Sequence, residues 1–111
     1  MDTFNAREQA FEMAFAHDEE VRFRILARRN ALVAQWAADR LGYTGDSAAR
    51  YIEQITNALG APPSGHKSNE ERVLAKVALD LATSGWNLNR EDIVKVLQQC
   101  EARAREAVMI G

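Results

Sequence analysis

The chain has 111 residues, 47% of them apolar and 27% charged, which suits one small domain with a single core. A net charge of −2 and a pI near 5.7 lack the basic excess of a general nucleic-acid binder, and no apolar run is long enough to span a bilayer. A lone cysteine, Cys100, excludes an intramolecular disulfide, and Met1–Glu8 lacks the basic-then-apolar order of a secretory signal, so a soluble, cytoplasmic, monomeric protein is expected.

The first segment, about Phe4 to Leu41, reads as one long amphipathic helix ending at Gly42. At about 100° per residue, Phe4, Phe11 and Phe15 share a narrow arc, which Ile25, Leu26, Leu32, Val33 and Trp36 continue. Between the two sets, Asp18 and Arg22 occupy the stripe itself. A stripe broken by charge implies two halves serving two different partners.

After the turn Thr44-Gly45-Asp46, with Asp46 or Ser47 as the next cap, a second helix repeats Ala48, Tyr51, Ile52, Ile55 and Leu59 at three- and four-residue spacing. It ends at Gly60-Ala61-Pro62-Pro63-Ser64-Gly65, the clearest loop in the chain. A third helix opens on the capping box Ser68-Asn69-Glu70-Glu71, presents Leu74, Val77, Ala78 and Leu81, and stops near Gly85. The fourth begins after Asn89, carries Glu91 and Asp92 in its first turn, and presents Ile93, Leu97, Cys100, Ala104 and Val108. The expectation is all-α: a four-helix bundle-like domain with no sheet.

Length divides the first helix. At 1.5 Å per residue it would be roughly 55–60 Å long, against roughly 20–30 Å for each of the others. Three short helices cover only part of it, and the richer aliphatic stripe makes the Ile25–Trp36 half the docked one. Residues 1–19 would then form an overhanging segment, with about the first 18 mobile alone and folding on a partner, and 20–111 the four-helix domain.

The run from Phe15 to Arg24 places three acids ahead of two arginines. Asp18 with Arg22 and Glu20 with Arg24 are i,i+4 pairs worth about 0.2–0.5 kcal/mol each. These charges describe either a solvated, pair-stabilised helix or a hinge that also offers charge to a partner. Arg29 lies near the centre of the apolar stripe, as a rim arginine with a buried stem or, together with Arg28, as a phosphate site. His17 and His66 have no neighbours at metal-ligand spacing, and no metal site is expected. Cys100 falls on a core face, Trp36 belongs to the core, and Trp86 packs at the bundle end. No nucleophile–base–acid set, Walker motif or dinucleotide motif is present, so an enzyme is not expected.

Thr3-Phe4 followed by Arg7-Glu8, then Phe15-Ala16-His17-Asp18-Glu19, Ala27-Arg28-Arg29-Asn30, and Trp36-Ala37-Ala38 running into Leu41-Gly42-Tyr43-Thr44-Gly45-Asp46 carry a resemblance. Across roughly residues 3–51 the chain resembles the zeta subunit family of alpha-proteobacterial F-type ATP synthases. It departs from that pattern at Ala61-Pro62-Pro63-Ser64-Gly65-His66-Lys67-Ser68, where the family carries an acidic Pro-Gly-Asp-type stretch.

The resemblance implies a four-helix fold and an inhibitor of ATP hydrolysis whose N-terminal segment inserts between subunits of the catalytic head and blocks hydrolytic rotation. On this chain it implies Phe4, Phe11 and Phe15 as apolar anchors, with Arg7, Glu8, His17, Asp18 and Glu19 as flanking contacts. It implies no required cofactor, although weak ATP or ADP binding accompanies the family. The alternative function is accordingly a small adenine-nucleotide-binding regulator using Arg28 and Arg29. A helical DNA-binding module using the Arg22–Arg29 cluster is disfavoured by the acidic balance.

Overall fold

The computed structural model describes the backbone of residues 3–57 and 68–110, and the side chains within those ranges except at 3–7, 11–16 and 110. Among the described residues there are four helices, α1 (Thr3–Leu41), α2 (Gly45–Asn57), α3 (Asn69–Thr83) and α4 (Arg90–Ile110), and no strand. Leu59, the Gly60–Gly65 loop and His66 lie outside the described residues.

The helix ends follow the local chemistry of the sequence. Gly42 (φ 80°) and Gly85 (φ 91°) adopt the left-handed conformation that a side chain disfavours. Each closes a Schellman motif. Tyr43 N–H donates to Ala38 O (2.9 Å) and Gly42 N–H to Asp39 O (3.3 Å). Trp86 N–H donates to Leu81 O (2.9 Å) and Gly85 N–H to Ala82 O (3.0 Å) in the same way. The Ser68 hydroxyl caps α3 by accepting from Glu71 N–H at 3.2 Å.

One cap differs from expectation. α2 begins at Gly45, which puts Asp46 and Ser47 inside its first turn; Ser47 N–H donates back to Thr44 O at 3.2 Å. Asp46 therefore acts on the helix dipole and not as the cap. At α4 the cap is a reciprocal pair: Asp92 N–H donates to Asn89 Oδ1 (2.9 Å), and Asn89 N–H donates to Asp92 Oδ2 (3.3 Å).

α1 is the central element. It contacts each of the other three helices, and α3 also contacts α4. The core gathers Val33, Ala34, Ala37 and Ala38 of α1, Tyr51 and Ile55 of α2, Val73, Leu74, Val77 and Leu81 of α3, and Ile93, Leu97 and Cys100 of α4. The long dimension of the molecule, 66 Å against 33 and 25 Å, is set by the 39-residue α1, which at 1.5 Å per residue is about 58 Å long.

The packed face of α1 is broader than its aliphatic stripe. Arg29, Asn30, Val33, Ala34, Ala37 and Ala38 are all buried. At about 100° per residue they span about half the circumference, displaced toward the alanines from the Ile25–Trp36 stripe. Leu26, Leu32 and Trp36 are only half-buried. α4 borders that leucine–tryptophan side, and the alanine side is left for α2 and α3. Alanine at the contact lets a second layer of helix approach closely, a burial that a search for large apolar residues overlooks. Among the described residues, Ile25 is the first buried residue of α1.

Candidate functional site: the arm and its root

α1 is one unbroken helix from Thr3 to Leu41. Glu8, Gln9 and Ala10 are exposed, as are His17, Asp18, Glu19 and Glu20. Val21 is half-buried and Ile25 is buried. Among the described residues, burial on α1 thus begins at Val21 and Ile25, next to the charges Asp18 and Arg22. The side chains of the expected contacts Phe4, Arg7, Phe11 and Phe15 lie outside the described residues; Glu8, His17, Asp18 and Glu19 all face solvent.

Of the two expected acid–arginine pairs, one forms. Arg24 Nη2 donates to Glu20 Oε1 at 2.6 Å, with both side chains more than half exposed. In that setting solvent leaves it worth only a few tenths of a kcal/mol. Asp18 and Arg22 make no ion pair with each other or with another described residue. They line a groove of about 480 Å³ between α1 and the end of α4, floored by Val21, Ile25 and Leu26 and closed by Glu101, Arg105 and Met109.

One turn further in sits a buried, hydrogen-bonded polar cluster. The Arg29 side chain is only 3% exposed. Its Nε donates to Asn30 Oδ1 (3.1 Å), Nη1 to Glu101 Oε1 (3.0 Å) and Nη2 to Asn69 Oδ1 (3.0 Å). The fully buried Asn30 also donates from Nδ2 to Asn69 Oδ1 at 3.4 Å. One guanidinium thus ties α1 to the first residue of α3 and to the middle of α4. The fork of donors at fixed angles is what lets a single side chain serve three acceptors. Arg28 is exposed while Arg29 points into this cluster, so the two guanidiniums do not converge on one surface. Arg29 was legible as a polar intruder in the apolar stripe; its partners Asn69 and Glu101, 40 and 72 residues away, carried no local signal.

At the opposite end of the bundle, Trp86 Nε1 donates to Arg40 O at 3.0 Å, satisfying a carbonyl in the last turn of α1. The Arg40 guanidinium lies 4.2 Å over the Trp36 ring, and Trp36 packs half-buried against the core. The Tyr51 hydroxyl donates to Asp80 Oδ2 at 2.8 Å, and burial together with that carboxylate pushes its ionisation far above the usual phenol range. Burial likewise raises the Cys100 thiol, against the opposing pull of Arg103 and Arg29. Among the described residues no group of three or more His, Cys, Asp or Glu could hold a metal ion, and no helix is long and apolar enough to cross a membrane.

The fold is a small all-α domain gathered along one long helix. The chain belongs to the family of the ATPase inhibitor subunit zeta, whose model it matches over residues 1–107. Membership makes it a regulatory protein and not an enzyme, and implies inhibition of ATP hydrolysis by the F-type ATP synthase. No curated protein matches the chain.

Proposed function

We propose that the protein inhibits hydrolysis by inserting the N-terminal part of α1 at a catalytic subunit interface of the ATP synthase head, which blocks rotation in the hydrolytic direction. The observation that supports this reading is the burial profile of α1. Every described side chain before Val21 faces solvent, although the helix continues to Thr3. The arc holding Phe4, Phe11 and Phe15 supplies apolar anchors for a helix-in-groove mode of binding. Glu8, His17, Asp18 and Glu19 surround those anchors with charge. A helix end without its own tertiary cover is marginal in water, so its consolidation on the head belongs to the binding step and reduces the affinity gained per unit of contact.

The test is deletion of residues 1–18, among whose described side chains none is buried. The shortened protein should remain folded and lose inhibition of the cognate head. Undiminished inhibition would show that the arm is not the inhibitory element.

A further inference from the structure

We propose that the groove between α1 and the C-terminal end of α4 is a second docking surface, taking an acidic segment of the ATP synthase head that presents an aliphatic side chain. This rests on the arm reading and extends the same interface onto the folded domain.

Two observations carry it. The first is continuity. Phe11 and Phe15, Asp18 and Arg22, and Ile25 occupy successive turns of one arc of α1 by sequence position, and the last three line the groove. Phe15 precedes Asp18 by about 4–5 Å along the helix and Arg22 by about 10 Å. A surface that encloses the arm through Phe15 therefore has to end against this groove or run into it. Met109 stands at the mouth of the groove, 69% exposed, an adaptable apolar contact.

The second is charge. Glu101 is neutralised from within, because the buried Arg29 holds Oε1 at 3.0 Å. Arg105 reaches the other oxygen, Oε2, only at 3.6 Å and is 61% exposed, so it is a loosely held cation on the rim. Arg22 is a second cation and Asp18 the one anion not engaged by an arginine. The rim thus presents one more available positive than negative charge around a floor of Val21, Ile25 and Leu26. The complementary occupant is an aliphatic side chain flanked by carboxylates, and exposed rim charges of this kind mainly accelerate and orient encounter.

The experiment uses the full chain and the isolated cognate ATPase. A photo-crosslinking residue is placed at position 109 in one preparation and at position 8 in another, and the variants Met109→Glu and Arg105→Glu are assayed for inhibition. Both sites are exposed, so circular dichroism should show unchanged helix content. The groove reading expects crosslinks to the head from both positions and roughly tenfold weaker inhibition by each charge variant, with the Arg105→Glu loss shrinking as salt is raised. Crosslinking at position 8 without crosslinking at 109, together with unchanged inhibition by both variants, overturns the groove and leaves the arm standing. Failure to crosslink at position 8 overturns the arm reading itself.

Discussion

Replacing Arg29 by alanine is the sharpest single perturbation of this fold. The substitution removes three hydrogen bonds and leaves Asn30 Oδ1 and Asn69 Oδ1 facing the space the guanidinium filled. Breaking a fully buried ion pair by deleting one partner costs about 3–5 kcal/mol. Glu101 is 36% exposed and can turn toward water, which lowers the charge contribution. The fully buried Asn30 has no such escape and adds a desolvation cost of about 1–3 kcal/mol for its unpaired oxygen. With part of the ion-pair cost relieved, the expected loss is about 3 kcal/mol, or roughly 13 °C in Tm for a domain of this size.

Thermal and urea unfolding followed by circular dichroism would measure it, with the exposed Arg28→Ala as control, expected within about 0.5 kcal/mol of the parent. A double-mutant cycle of Arg29→Met and Glu101→Gln should return a coupling of about 1–2 kcal/mol, since methionine keeps much of the stem's packing while removing the charge. If Arg29→Ala and Arg28→Ala shift Tm equally, the argument that this arginine ties three helices together is wrong.

Three further outcomes follow from the packing. Ala37→Leu, at a side chain with no exposed surface among the alanines of α1, should overpack the layer and destabilise by about 1–3 kcal/mol in the same unfolding assays. Asn89→Ala removes the hydroxyl-free cap of α4 and should cost about 1 kcal/mol, seen as faster amide exchange in the first turn of that helix. Cys100 and Tyr51 both ionise less readily folded than unfolded, so the neutral forms favour the native state. Their stabilisation is complete below the unfolded pKa values, about 8.5 for the thiol and about 10 for the phenol, and falls as pH rises beyond each. Native Cys100 should accordingly react slowly with iodoacetamide at pH 8, and denaturant midpoints should decline above that pH. A stability curve flat to pH 11 would contradict the burial assigned to both groups.

What the sequence determined by itself is the local part of this protein. Helix starts and stops follow from chemistry within a few residues. Gly42 and Gly85 end helices because a left-handed residue is needed there, and Ser68 begins one because its hydroxyl can accept from Glu71. Charge at Asp18 and Arg22 interrupts the stripe within the sequence itself, and among the described residues burial begins beside it at Val21 and Ile25. The family was legible because its motifs are dense and ordered along the first half of the chain.

Tertiary structure decided which neighbours meet. The stripe of large side chains pointed to the α4 side of α1, whereas the most completely buried positions include Ala34, Ala37 and Ala38, whose small size admits other helices. Periodicity weighted by side-chain size registers one face and cannot register a helix packed on two. The same holds for Arg29. Its place in the apolar stripe was visible, but whether it faced a ligand or its own fold depended on Asn69 and Glu101, brought to it only when α3 and α4 close against α1. Local signals set each helix; the long-range contacts that settle a side chain's partners arise only from how those helices dock.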